Sequence, residues 1–200
     1  MPDRIDILWS SGGDGTQSSQ PLLHQRGYEI QQFDTLRLFP IGLAAEPRRV
    51  SCRLLNEILG DSMILHALYK KHHWLVRGHT FYQLHLLLDK HAEEQAELVD
   101  LLAERVQTLG GVAIADPRHV AEVTSVPRPP NGAEEVPAML SRLLEAHEII
   151  IDKVRAAIER TETSRDHGTN DFLTGDVLRR HELQVWLLAE HLVDTPAVRV

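Results

Sequence analysis

The chain has 200 residues, an apolar fraction of 42% and a formal net charge of −8. This length suits one domain with some extra chain, and it is enough to bury a full core. No segment approaches the roughly 20 apolar residues of a membrane span, and the N-terminus does not resemble a signal peptide, so we expect a cytoplasmic protein without membrane contact. The negative charge argues against a surface built to hold DNA and is compatible with acidic cavities that attract cations.

Residues 1–48 are predicted to form a flexible N-terminal extension. Residues 10–19 are mostly Ser and Gly and contain no apolar side chain that could join a packed core. Residues 36–43 are more apolar, and we expect this segment to dock on a neighbour. Residues 195–200 are predicted to be a short C-terminal tail, which leaves 49–194 for the folded domain.

Helical periodicity sets in at Ser51, after Pro47. It predicts a first helix to Trp74, and a second from a Thr80 cap to the glycine pair at 110–111. A third helix is predicted over 134–161 and a fourth over 169–192. Cys52, the single cysteine, excludes an internal disulfide framework and is expected to act as a small apolar residue on the first helix, with a reactive thiol as the alternative.

A proline-rich segment joins the second and third predicted helices. It is too long for a tight turn and has room for a short helix near 119–123. No segment shows the alternation of a β-strand over a useful length. Four long helices with two short connections and one long one predict an all-α, ferritin-like four-helix bundle with a crossover between helices two and three.

The second predicted helix carries two pairs of side chains whose types are common metal ligands. His85 and Asp89 are four residues apart and share a helix face, as do Asp100 and Glu104. From Asp89 to Asp100 the helix makes about three turns plus roughly 20°, so all four side chains point nearly the same way. Asp89 and Asp100 lie about 16 Å apart along the helix axis. Because a metal–ligand bond is roughly 2 Å long, one chain holds two half-sites.

The spacing is symmetric about the point between Glu94 and Gln95. Two copies of the helix packed antiparallel about a two-fold axis at that point would place the first pair of one copy against the second pair of the other. His73, near the end of helix one, would lie at a similar height to His85. The completed site would contain two imidazoles and three carboxylates, a set that suits one or two Fe(II) ions and stabilises Fe(III) after oxidation.

An alternative is that each of these side chains is structural or solvated, as single His and acidic residues on helices usually are. A di-iron site inside one bundle is the other alternative, and such bundles carry Glu-x-x-His pairs on two helices. No glutamate in this chain has a histidine three residues later. The pattern therefore favours a metal site between chains.

One stretch of the chain carries a distinctive order of residues. It contains Lys71-His72-His73-Trp74-Leu75-Val76-Arg77-Gly78, then Phe81, Leu84-His85 and Asp89, and finally Asp100, Ala103-Glu104-Arg105 and Leu109-Gly110-Gly111. These residues resemble the signature of the Dps family of mini-ferritins. The order of the predicted helices also resembles that of the family, from about Ser51 to Leu192.

Dps proteins are dodecameric hollow cages that oxidise Fe(II), preferentially with hydrogen peroxide, and store ferric oxide inside. The resemblance implies that one subunit supplies His73, His85 and Asp89 as ligands and that its two-fold mate supplies Asp100 and Glu104. Trp74 matches a tryptophan thought to lie near the metal centre. A redox role for Trp74 follows from this resemblance, and packing within the bundle is the alternative.

The sequence departs from the family in several places. Leu86 stands where many members carry an acidic residue that contributes to mineral nucleation. Inner-surface carboxylates could come instead from Glu93, Glu94 and Glu97, or these could be solvated charges near the dimer axis. Asp171 and Asp176 are candidates for the acidic pores at the three-fold axes, and Asp171 could equally cap helix four.

DNA binding is expected to be weak or absent at physiological salt. Members that bind DNA often use mobile Lys-rich tails, whereas residues 1–48 contain no lysine and the C-terminal tail offers only Arg199. A DNA-coating protein, a cage with zinc-occupied sites and a bundle without metal remain the rival functions.

The other histidines give no comparable pattern. His66 shares a helix face with His73. Six others are predicted to be mostly exposed or at interfaces: His72, His79, His91, His147, His181 and His191. An accessory metal site among them, or with His24, is left open.

Overall fold

The computed structural model describes residues 21, 23 and 27–194. Three long helices form most of the bundle: α1 (Ala45–Leu75), α2 (Phe81–Thr108) and α4 (Val136–Thr163). The fourth bundle helix runs from 167 to 192 and consists of α5 (His167–Phe172), a π-helical segment (Leu173–Leu178), α6 (Arg179–Ala189) and a 3-10 turn (Glu190–Leu192). The described ranges contain no β-strand, and four bundle helices with a long crossover between the second and third confirm the predicted all-α four-helix bundle.

The core lies along the shared axis of these helices. α1 packs against α2 and α4, and α4 packs against the fourth bundle helix. Each helix contributes apolar side chains at helical spacing, and each fully buried Leu, Ile or Val stabilises the fold by roughly 1.5–3 kcal/mol. The buried set includes Leu55, Leu65, Leu88, Leu98, Leu102, Leu140, Leu143, Ile150, Val154, Leu173, Val177 and Leu188.

The first helix begins at Ala45, inside the range predicted to be an extension. Its Arg48 is buried and donates to the carbonyl oxygens of Arg37 at 3.0 Å and Leu109 at 3.2 Å. The Gly110 carbonyl oxygen accepts from Arg37 N at 2.8 Å and from Gln31 Nε2 at 2.9 Å. The segment 31–43 therefore docks on the bundle of its own chain. The predicted flexible run 10–19 and the predicted C-terminal tail lie outside the described residues.

The crossover spans 109–135 and contains the short helix α3 (Pro117–Val123), which the sequence placed over 119–123. Asp61, fully buried on α1, fastens the crossover to the bundle. Its carboxylate accepts from Thr124 Oγ1 at 2.7 Å, Ser125 N at 2.8 Å and Lys153 Nζ at 2.6 Å. Three donors from the crossover and α4 thus compensate for the burial of this charge.

Thr80 is at the N-cap position of α2, as predicted, but its side chain makes no capping hydrogen bond. The prediction of Asp171 as a cap is wrong. The fourth bundle helix is capped by Asp166 and not by Asp171, because the Asp166 carboxylate accepts from Thr169 N at 3.1 Å. Asp171 lies inside α5, exposed to solvent.

No helix within the described ranges is both long enough and apolar enough to cross a membrane.

Candidate metal centre on helices one and two

His73 and His85 lie face to face where α1 and α2 meet near their connecting turn. The two imidazole rings are stacked, with centroids 3.8 Å apart and an interplanar angle of 20°. His73 Nδ1 lies 2.9 Å from the backbone oxygen of His85, and His85 Nδ1 lies 3.0 Å from the backbone oxygen of His73. The antiparallel helices thus bring the two rings together, at the similar height expected from the sequence.

This reciprocal bonding determines which ring nitrogen carries the proton. A carbonyl oxygen only accepts hydrogen bonds, so Nδ1 of each ring must be the donor. In the neutral imidazole, Nε2 then has a free lone pair, which is the form that binds a metal ion. A backbone carbonyl that fixes the tautomer and the ring orientation is the usual support of a metal-ligating histidine.

Asp89 lies beside the two rings. Its Oδ1 is 3.8 Å from His73 Nε2, a separation that one ion can bridge with ligand bonds of roughly 2 Å. The same oxygen accepts from Lys70 Nζ at 2.6 Å, and this hydrogen bond holds the pKa of Asp89 below its ordinary value. The carboxylate is therefore ionised at neutral pH and oriented towards positive charge.

Trp74 is next to His73 but points away from the core. Its side chain is 70% exposed, and the Lys70 ammonium lies 6.0 Å from its ring centroid. Packing inside the bundle, the alternative considered for this residue, is wrong for this chain. Phe81 covers the other side of the pair, with its ring 5.1 Å from that of His85.

Asp100 and Glu104 lie far from this group. They are on the same uninterrupted helix as His85 and Asp89, with Asp100 about 16 Å and Glu104 about 22 Å along the axis from Asp89. Both are exposed, and neither carboxylate makes a hydrogen bond or an ion pair within the described part of the chain. The chain by itself brings together only His73, His85 and Asp89.

Across the described residues, no group of three or more His, Cys, Asp or Glu side chains is arranged so that it could hold a metal ion. His73, His85 and Asp89 are adjacent, but they do not form such a group.

The remaining acidic candidates are distributed over the surface. Glu97 is paired with Arg180 at 2.7 Å, and Glu94 accepts from Gln184 Nε2 at 2.7 Å. Glu93 is exposed, as are Leu86, Asp171 and Asp176, the last of which lies in the π-helical segment.

The histidine placements inferred from the sequence are partly wrong. His79 and His191 are exposed, but His72, His91, His147 and His181 are buried. Burial lowers the pKa of His72 and of His91 to about 4, so both rings are neutral at pH 7. Helical periodicity scored with apolar residues alone misses such positions, because a neutral, hydrogen-bonded imidazole can occupy a core position. The prediction for Cys52 is confirmed: it is buried, and burial raises the pKa of its thiol to about 11.

Known proteins share this helical architecture. The ferritin-like domain family matches residues 52–198. The solved structure of DpsC from Streptomyces coelicolor is 64% identical, superposes with a TM-score of 0.84, and the match covers 86% of this chain and 99% of that one. A Dps homologue from Halobacterium salinarum is 29% identical with a TM-score of 0.81, over 86% of this chain and 95% of that one.

The sequences of named relatives agree with the structures. A DNA protection during starvation protein from Halobacterium salinarum is 31% identical over 174 residues, which cover 85% of this chain and 93% of that protein. Together with the helical architecture, these matches show that the chain belongs to the Dps family of ferritin-like proteins.

Proposed function

We propose that this protein is an iron-storage ferroxidase that oxidises Fe(II), preferentially with hydrogen peroxide, at sites shared between two-fold-related subunits. The observation that carries the proposal is the half-site of His73, His85 and Asp89, in which both imidazoles are held in the metal-binding tautomer. Asp100 and Glu104 of a second copy would complete the shell. The ferric product would be stored as oxide in the cavity of a dodecameric cage in the cytoplasm.

The surface around the half-site supports a partner chain. Several large apolar side chains on the outer faces of α1 and α2 are exposed: Trp74, Tyr82, Leu86 and Leu101. Such side chains are usually covered when they are grouped on one surface. An antiparallel copy of α2 would cover this face and bring two carboxylates to each half-site. In that arrangement Trp74 would lie at the interface beside the metal, where a redox role is open to it.

The residues of the chain bind and orient the Fe(II) substrate, and the ions carry out the electron transfer. Two Fe(II) ions supply two electrons to one peroxide, whose O–O bond breaks, and with two protons the products are two Fe(III) ions and two waters. Three carboxylates in the shell stabilise the higher charge of Fe(III) more than that of Fe(II). Exposed Asp171 and Asp176 are candidates for the entry pores.

A subunit-mixing experiment tests the shared site. Particles made only of His85→Ala chains, or only of Glu104→Ala chains, should lose the fast ferric absorbance that follows addition of Fe(II) and peroxide. In a mixed pair, one site carries both substitutions and the other is intact. Random pairing of equal amounts should therefore restore about a quarter of the sites.

Glu159→Gln provides a matched control, because Glu159 is an exposed helical carboxylate on α4, away from the half-site. This variant should keep the full ferric signal. No recovery in particles shown by native mass to contain both chains would contradict the shared site. A native mass other than twelve chains would contradict the cage.

The ferric absorbance also distinguishes the ferroxidase from a cage whose sites are occupied by zinc. Wild-type protein that binds zinc but gives no fast ferric signal would favour that rival.

A DNA-protecting function is the second candidate, because one relative is named a DNA protection during starvation protein and another, from Synechococcus, a nutrient stress-induced DNA-binding protein.

A further inference from the structure

A polar layer crosses the middle of the bundle, outside the half-site. It contains one side chain from each bundle helix: Tyr69 on α1, His91 on α2, His147 on α4 and His181 on α6. All four side chains are fully buried. Because a polar group in an apolar core costs free energy unless it is hydrogen-bonded, the contacts within this layer decide whether it is tolerated.

The four side chains form one continuous hydrogen-bonded chain. The Tyr69 hydroxyl lies 2.5 Å from His147 Nε2 and 3.2 Å from His91 Nδ1. His147 Nδ1 lies 2.8 Å from His181 Nδ1. The hydrogen-bonded chain ends at His91 Nε2 and His181 Nε2, two buried nitrogens that have no hydrogen-bond partner among the described residues.

The geometry favours one arrangement of protons. Tyr69 has a single hydroxyl proton, and the shorter of its two contacts points to His147 Nε2 as the acceptor. His91 Nδ1 then donates to the Tyr69 oxygen, and His147 Nδ1 donates to His181 Nδ1. His147 thus acts as a base towards the phenol, and its other nitrogen already has an acceptor that would stabilise an imidazolium.

All of these groups are neutral before any reaction. Burial raises the pKa of Tyr69 well above its ordinary value, so the phenol keeps its proton. Burial also lowers the pKa of His147 well below its ordinary value and that of His181 to about 3. A phenol with a neutral imidazole as hydrogen-bond acceptor is suited to losing an electron and a proton together, because no isolated charge is then left on the oxygen.

The layer is next to the half-site. Tyr69 and His73 are four residues apart on α1, which is about one helical turn or 6 Å along the axis. Tyr69 faces the bundle interior, whereas His73 faces α2 and Asp89. The phenol and the half-site are therefore about one turn apart on the same helix.

We propose that Tyr69 is a redox-active tyrosine that gives one electron to the peroxide reaction at the neighbouring iron site while its phenolic proton moves to His147. This inference rests on the proposed ferroxidase function. One Fe(II), one peroxide, Tyr69 with His147 and two protons from solvent give one Fe(III), a neutral Tyr69 radical beside protonated His147, and two waters. The O–O bond breaks, the iron and the phenol are each oxidised by one electron, and the peroxide takes up both.

This step matters when a site holds a single iron. One Fe(II) supplies one electron, and one-electron reduction of peroxide would release a hydroxyl radical. Tyr69 supplies the second electron, so peroxide is reduced fully to water. A later Fe(II) returns an electron to the phenoxyl oxygen while His147 returns the proton, which restores the starting state.

Freeze-quench EPR tests the proposal on the assembled full-length protein. Less than one Fe(II) per site is mixed with excess peroxide, and ferric absorbance is recorded in parallel. We expect a tyrosyl signal whose hyperfine structure narrows when the protein contains ring-deuterated tyrosine, which distinguishes it from a tryptophan radical. The chain has three tyrosines, and Tyr28 and Tyr82 are exposed. A Tyr28→Phe/Tyr82→Phe double variant should keep the full signal, because Tyr69 is then the only tyrosine left.

Tyr69→Phe should lose the signal and still form Fe(III), with at least a several-fold rise in hydroxyl radical trapped in solution. His147→Gln should keep Tyr69 but shorten the lifetime of its radical several-fold. Ferric absorbance without a tyrosyl signal, or loss of the signal in the double variant, would overturn the role of Tyr69 and leave the ferroxidase function standing. Absence of ferric absorbance in the wild type would overturn both. The double variant removes only two hydroxyl groups and keeps both rings, including that of Tyr82 at the proposed interface, so the outcome does not depend on whether the Tyr69 variant folds.

Discussion

The Asp166 carboxylate joins three helices, α1, α2 and α5. This carboxylate, 2% exposed, accepts from Ser51 Oγ on α1 at 2.7 Å and from Arg105 Nη2 on α2 at 3.0 Å. It also accepts from Thr169 N and Thr169 Oγ1 at 3.1 and 2.6 Å. Burial alone would raise the pKa of Asp166, but these hydrogen bonds and Arg105 outweigh burial and lower it.

We expect Asp166→Asn to lower the free energy of unfolding by about 3 kcal/mol at neutral pH, in the range for broken buried ion pairs. Because the folded-state pKa of Asp166 is lowered, its stabilising effect is complete above the unfolded value of about 3.9 and is lost as pH falls through the folded value. Urea unfolding of both proteins between pH 7 and pH 3 checks this, and the difference between them should shrink at the acid end.

Asp116→Asn is the control for this residue. Asp116 also caps a helix and pairs with an arginine, but it is an exposed residue directly before α3, and its hydrogen bonds with Arg118 lower the pKa of its carboxyl to about 2. An exposed cap and ion pair contribute less than a buried ion pair, so Asp116→Asn should lower the free energy of unfolding clearly less than Asp166→Asn. A cost equal to that of Asp166→Asn would show that burial is not the reason.

At the scale of an element, the end of α2 depends on a glycine pair. Gly111 N donates to Val106 O at 3.0 Å and Gly110 N donates to Gln107 O at 2.9 Å, which is the bonding of a Schellman motif. Gly110 has a φ of +87°. A Cβ on Gly110 would lie 2.5 Å from the carbonyl oxygen of Arg37, so the same residue allows the N-terminal segment to approach closely.

Gly110→Ala and Gly78→Ala distinguish the need for a left-handed backbone conformation from the need for a close approach of the N-terminal segment. Gly78 also has a positive φ, +105°, but a Cβ there meets nothing within 4 Å. Gly78→Ala should lower the free energy of unfolding by about 1–2 kcal/mol, because only the left-handed backbone conformation opposes the alanine side chain. Gly110→Ala should cost more and should expose the segment 31–43 to limited proteolysis. Equal unfolding midpoints and equal cleavage for the two variants would contradict the docking of that segment.

At the scale of the whole molecule, charge argues against tight DNA binding. With a net charge of −8 and no lysine before residue 70, the chain has few mobile cations whose binding would release counterions. We expect no gel shift of plasmid DNA at about 0.15 M salt. The same particle with an appended Lys-rich tail is the positive control. A shift of the unmodified particle at that salt would favour the DNA-protecting candidate.

Several features followed from the sequence because they depend on local order. Apolar periodicity predicted the four bundle helices and their long crossover, since a helix must bury one face against its neighbours. The glycine pair after Leu109 predicted where α2 ends. The separation of His85 and Asp89 from Asp100 and Glu104 also followed, because helical geometry fixes it on one uninterrupted helix, whereas their use as two half-sites stays a prediction.

Other features needed the folded chain. The reciprocal bonds of His73 and His85, the docking of residues 31–43 and the buried layer around Tyr69 all join positions far apart in sequence. A histidine in a helix has the same local pattern whether it faces solvent or a polar layer in the core. Only the packing of four helices decided which imidazoles are buried and hydrogen-bonded, because burial and partners depend on what the other three helices place opposite each ring.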